Sequence, residues 1–176
     1  EREAKLITDS AGISHLFWMR NGEVWHAWLD QGSWRDARAL SGAGASGLTA
    51  VAGEQVIGSE SGLVAAWVQG DGNEAEIHYV VGRAKDGGGF EWSASEQLAD
   101  DAVADEAVSL SVTDSGDVLF VYGKRNVDVR DDRDLYYTLI SIGEFTPAQL
   151  AEETGLDVAG VNIGFERDLR AGVNFI

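Results

Sequence analysis

The side chains that could do chemistry are limited in kind. The chain has no cysteine, which removes thiol nucleophiles, disulfides and Cys-ligated zinc. Its three histidines, His15, His26 and His78, lack the i,i+4 spacing that sets two imidazoles on one helical face for a metal. His26 and His78 fall at matching places in an internal repeat, so one side of each repeating unit presents a histidine. Together with Trp25 and Tyr136 they are the candidate ligand contacts. The 30 acidic residues make chance carboxylate pairs abundant, and no pair stands out for glycoside hydrolysis. Tyr136 and Tyr137 read as a half-buried strand pair. No P-loop or dinucleotide fingerprint occurs, and no catalytic residue, metal ligand set or cofactor is assigned.

One stretch, KDGGGFEWSASEQL from Lys85 to Leu98, combines an acid, three glycines and an aromatic. A short Asp side chain can accept hydrogen bonds from nearby backbone N–H groups and mimic a turn. Glycines reach positive φ without steric cost. A following Trp can pack its ring back over the turn. Asp86, Gly88 and Trp92 therefore read as a structural turn, and Asp30, Gly32 and Trp34 as a shorter version of it. A Ca2+ site on Asp86 is the sharper alternative, but calcium takes about six or more oxygens.

Three segments that would position these residues align along the chain. Each has a polar turn ending in Gly12, Gly62 or Gly116 and an apolar run closing on an aromatic. A second run follows, EVWHAW from Glu23, EIHYVV from Glu76 and DLYYTL from Asp134. A third is led by Trp34, Trp92 or Phe145, and another run precedes each Gly turn. Pro147 to Glu153 could instead open a short helix. Four short β-runs in about 50 residues match one propeller blade. The apolar run Leu63 to Val68 predicts a strand buried on both sides. The expected fold is all-β, with three four-stranded antiparallel blades over residues 4–53, 54–106 and 107–154; an irregular β-sandwich is the alternative. Residues 155–176 would form a linker and the start of a further blade or an immunoglobulin-like module.

The net charge of −17 disfavours nucleic-acid binding, since a phosphate backbone would be repelled over most of the surface. No apolar run is long enough for a bilayer-spanning helix, so no membrane insertion is expected. The mixed-sign stretch Asn126 to Asp134 reads as a solvated loop between strands, and it is the candidate for contact with a partner or cation.

The KDGGGFEW turn, between the third and fourth runs of its unit, resembles the Asp-box of sialidase-like β-propellers through Asp86, Gly88 and Trp92. Trp92 lies one position late and Phe90 stands where that pattern has Thr. The first unit keeps Asp30, Gly32 and Trp34 at shortened spacing, and the third, SIGEF, lacks the Asp. NGEVWHAWLDQGSW also resembles bacterial fucose-binding propeller lectins, a similarity that fades where Trp25 and Trp28 give way to His78, Val81 and Tyr136, Leu139. The sialidase resemblance implies an arginine triad, a Tyr nucleophile backed by Glu, and an Asp acid. The residues Arg20, Arg35, Arg38, Arg83, Arg125, Arg130 and Arg133 lack the surrounding motifs.

Closed propellers have about four to eight blades, so three units require the rest of a larger propeller or further copies of the chain. The expected function is non-catalytic recognition of a glycan or protein ligand within a secreted or cell-surface multidomain protein. A sialidase-like glycoside hydrolase completed by missing blades is the alternative, and an oligomeric lectin the second.

Overall fold

The computed structural model describes residues 3–58, 60–99, 103–125 and 133–145. The described chain is all-β, with three antiparallel sheets of three to five strands each. The first sheet is β1 (Ala4–Thr8), β2 (Ser14–Arg20), β3 (Glu23–Asp30) and β4 (Ser33–Ala39), paired in chain order. The second is β5 (Ala45–Ile57), β6 (Glu60–Gln69), β7 (Glu76–Ala84) and β8 (Phe90–Trp92), with β9 (Glu96–Gln97) also pairing to β7. The third is β10 (Asp105–Val112), β11 (Val118–Arg125) and β12 (Arg133–Ile140). Sequential pairing follows from the turns. Asn21–Gly22 and Gln31–Gly32 both sit at positive φ between directly paired strand ends, the geometry of two-residue hairpins matched to strand twist.

The second sheet lies between the other two. Successive side chains of a strand point to opposite faces. In β6, Leu63, Ala65 and Trp67 pack toward Phe17, Met19 and Val24 of the first sheet. Val64, Ala66 and Val68 join the cluster that holds Val118, Phe120 and Tyr122 of the third. The six residues Leu63 to Val68 are all buried, as their unbroken apolar run predicts. Each large side chain so buried contributes about 1.5–3 kcal/mol, and here both faces contribute. The first strands come closest: a Cβ placed on Gly53 of β5 would lie 2.7 Å from Val112 Cγ1 of β10.

Several expectations change. β5 begins at Ala45, so the Gly- and Ala-rich stretch before Glu54 belongs to the second sheet, not to the first unit. Gly12 and Gly116 occupy positive-φ turns, but Gly62 lies inside β6, where a Cβ would press on Ile57 Cγ1 at 2.9 Å. The turn there contains Gly58 instead, at positive φ. Phe145 is described as a non-strand residue packed against the core of the second and third sheets. The rest of the expected fourth run of that unit, the alternative helix at 147–153, Arg130 and residues 155–176 lie outside the described residues. So do residues 126–132 of the mixed-sign loop.

Candidate functional site

A constellation of two stacked rings flanked by polar groups recurs once per sheet, built by register. Trp25 of β3 lies opposite Trp18 of β2, His78 of β7 opposite Trp67 of β6, and Tyr136 of β12 opposite Tyr122 of β11. Each pair is stacked, with centroids 6.1, 6.4 and 6.1 Å apart and ring planes within 28° of parallel. Two residues toward the hairpin, Arg20, Gln69 and Lys124 face Glu23, Glu76 and Asp134. These polar groups hold the rings. Trp25 Nε1 donates to Glu23 Oε2 at 3.1 Å, and Trp67 Nε1 donates to Gln69 Oε1 at 3.0 Å. The Arg20 guanidinium lies 5.3 Å from the Trp25 ring, and Lys124 Nζ lies 5.5 Å from both Tyr122 and Tyr136. Lys124 is itself buried and ion-paired with Asp105, whose other oxygen accepts the Ile77 N–H.

All three ring pairs lie on the same side of their sheets, called here the near face; in the second and third sheets it faces the preceding sheet. Trp67 is covered by the first sheet and Tyr122 by the second. On the first sheet, alternation places Trp18 and Trp25 opposite to Phe17 and His26, away from the second sheet. Both are only partly buried.

This register corrects the match between His26 and His78. His78 occupies the place of Trp25, and the counterpart of His26 is Tyr79. His26 is 1% exposed on the far face of its sheet, so it offers no surface for a ligand. Its neighbours explain its burial. Trp92 meets the ring edge to face at 4.9 Å, and Phe17 lies 4.8 Å away. His15 Nδ1 lies 3.0 Å from His26 Nε2, and His15 Nε2 lies 3.2 Å from Asp9 Oδ2. A carboxylate only accepts, so His15 Nε2 carries a hydrogen. The lone pair of neutral His15 then sits on Nδ1 and accepts from His26. Burial lowers the pKa of His15, against the opposing pull of Asp9. Burial, then His15 and Arg38, lowers that of His26 to about 3. Tyr79, at the corresponding place in the second sheet, donates its hydroxyl to Glu96 at 2.7 Å, and burial followed by that contact raises its pKa.

The two glycine turns differ. Asp86 lies in a turn closed by backbone bonds, Gly88 N–H to Lys85 O and Lys85 N–H to Gly89 O, with Gly87, Gly88 and Gly89 at positive φ. Trp92 is 3% exposed and lies flat on Gly82, where a Cβ would meet its ring at 2.7 Å. Trp34, by contrast, stands 47% exposed opposite Leu29 and is not buried as Trp92 is. Asp30 forms a surface ion pair with Arg35 at 3.7 Å. Asp9 does organise a turn through its side chain, its Oδ1 accepting the Ile13 N–H at 2.8 Å. The sequence reading missed it, although Asp9 and Gly12 stand in the first turn just ahead of His15.

Of the arginines, Arg83 pairs with Glu91 and Glu60 on the second sheet, while Arg125 and Arg133 share Glu106 on the third. Among the described residues, no group of three or more histidines and carboxylates is placed to hold a metal, and no helix is long and apolar enough to cross a membrane. Compared with known proteins, the sequence matches no family model and no curated relative.

Proposed function

We propose that the chain is a non-catalytic segment of a β-propeller, akin to the sialidase-like Asp-box kind, that acts by recognition within a secreted or cell-surface protein. The observation that carries this reading is the repeated placement of the ring pair on one side of successive, sequentially paired sheets, the middle sheet being covered on both faces. A stack that adds each sheet in the same sense is how a blade buries faces it cannot bury alone. The first strands β1, β5 and β10 serve as the inner strands, and the close approach of β5 to β10 fits that role. The ion pairs that hold Arg83, Arg125 and Arg133 on separate sheets favour structural over substrate-binding roles for them.

Of the two ligand classes, protein and glycan, the geometry favours protein. The open Trp18–Trp25 face is the counterpart of faces that, on the other sheets, receive another sheet. Glycan-array screening with tryptophan fluorescence tests this choice. No sugar-dependent change in emission is expected. Saturable quenching by a glycan, lost in Trp25→Ala, would show that this face is a sugar site, and turnover of a fluorogenic sialoside by the chain would overturn the non-catalytic reading.

A further inference from the structure

We infer that the first sheet is an acid-released flap, hinged to the second sheet at residues 41–44 and opened by charging of the histidines buried beneath it. Histidine is the side chain whose ordinary titration falls between about pH 5 and 8. All three histidines of the chain lie at this one boundary. His15 and His26 face the second sheet from the far face of the first, where both meet Phe90 edge to face. His78 lies on the near face of the second sheet, stacked on Trp67, with its Nδ1 3.3 Å from Ser95 Oγ. The boundary between the second and third sheets holds no histidine.

The polar fastenings between the two sheets divide by position. At the hinge end, Ala45 N–H donates to Gly22 O at 2.8 Å and Gly70 N–H donates to Gly44 O at 3.1 Å. Gln69 Nε2 donates to Ala43 O at 2.7 Å, and Gly44 takes a φ of 95° that glycine reaches without strain. Glu3 Oε2 accepts the Leu48 N–H near the start of β5. At the other end, a hydrogen bond of 2.8 Å joins the exposed hydroxyls of Ser10 and Ser61. His15 and His26 sit toward this second end, opposite Trp28 and Phe17 and away from the Arg20–Glu23 hairpin. The histidine pair is therefore placed where the sheets part while the hinge holds.

The closed arrangement has room for at most one proton on the pair. His15 Nε2 donates to Asp9, and His15 Nδ1 accepts from His26 Nε2. A proton added to His15 requires the hydrogen of His26 to move to Nδ1, which meets no acceptor among the described residues. A second proton leaves two donors 3.0 Å apart. Opening lets water reach both rings, so acid favours the open form. Burial holds the pKa of all three histidines below 6.5 in the closed form, that of His26 at about 3. Few charged groups face them. Asp9, from the β1–β2 turn, favours charge on His15, and Arg38, opposite His26 in β4, opposes it there. Asp36 of β4 accepts from the Trp28 indole, and β8 presents the rings of Phe90 and Trp92. Beside His78, Glu76 lies two residues away on the same face of β7, and β9 places the uncharged Gln97 opposite. Acid also lowers the net charge of −17, which by itself favours the closed stack, so opening in acid points to the histidines.

Thiol labelling with dithiodipyridine, a reagent active in acid, tests the flap in this cysteine-free chain. Val80→Cys places a thiol under the flap, on the near face of the second sheet, and Val64→Cys places one on the far face, toward the third. Each rate is divided by that of the urea-unfolded chain at the same pH, and circular dichroism checks the fold. A histidine that stays neutral when closed and charges when open favours opening about tenfold per pH unit below about 6.5. From His26 alone, labelling of Val80→Cys is expected to rise about 100-fold between pH 7.5 and 4.5. Val64→Cys is expected to change little over that range. Adding His15→Gln and His26→Gln is expected to remove most of the rise at Val80→Cys. A flat profile at Val80→Cys, an equal rise at both thiols, or a rise that survives the histidine changes would overturn the flap. Ala65→Cys and Ala66→Cys, one on each face and both fully buried, give the same contrast should a valine variant misfold.

Discussion

His15 and His26 share a buried hydrogen bond of 3.0 Å between Nδ1 and Nε2, at the contact between the first and second sheets. Only one of the two nitrogens can donate while both rings are neutral, and Asp9 sets which one by accepting from the other side of His15. Protonating His15 would put two donors face to face unless His26 moved its own hydrogen to Nδ1.

Stability is therefore expected to fall in acid. Both folded pKa values lie below the ordinary 6.5, so the unfolded chain takes up protons first as the pH drops. The contribution is fully present above about pH 6.5 and declines below it, with a slope approaching about 1.4 kcal/mol per pH unit for each histidine. For His26 the decline runs down to about pH 3. Acidification also relieves repulsion among the 30 acidic residues, so the histidine part is read as a difference. Urea unfolding between pH 7.5 and 4.5 should show a steeper loss for the unaltered chain than for His26→Gln; equal slopes would refute the role of the pair.

The two tryptophans of the glycine turns should behave oppositely. Trp92 is buried against Phe17, His26 and Gly82, so Trp92→Ala is expected to cost about 3–5 kcal/mol. Trp34→Ala removes an exposed ring and should change stability by no more than about 0.5 kcal/mol. Chemical denaturation of the two variants side by side checks the contrast.

The two aspartates should also part company. Asp9→Ala removes the acceptor of the Ile13 N–H and the partner of His15, and is expected to cost about 1–3 kcal/mol. Asp86→Ala leaves the backbone bonds of its turn in place and should be nearly silent. Thermal melts of both variants decide this, and a larger loss for Asp86→Ala would restore it as the organising residue.

The sequence discloses the sheets better than their edges. The run Leu63 to Val68 fits a strand covered on both sides, because a strand so covered does without polar alternation. The start of β5 stays hidden because Gly44, Gly47 and the small residues around them resemble a loop, while their smallness lets the chain pass close to its neighbours. Aligning His26 with His78 slips the register by one residue, and in a strand one residue exchanges the faces. That slip set His26, buried on the opposite face of its sheet, beside Trp25, His78 and Tyr136 as a candidate ligand contact. Trp34 misled for another reason: every residue of β4 is exposed, so aromatic character alone does not predict that the ring turns inward.

The stacking of the sheets is tested most directly by Gly53→Cys/Val112→Cys, in a chain with no other cysteine. A Cβ on Gly53 would lie 3.0 Å from Val112 Cβ, close enough that slight backbone relaxation reaches the roughly 3.5–4.5 Å of a disulfide. Mild oxidation of the folded protein should close this bond within one chain. Gly53→Cys/Val121→Cys, with the second thiol on the far face of the third sheet, should stay reduced. If the first pair remains reduced in folded protein, or the second forms as readily, β5 and β10 are not packed as described and the stacked-sheet account is contradicted.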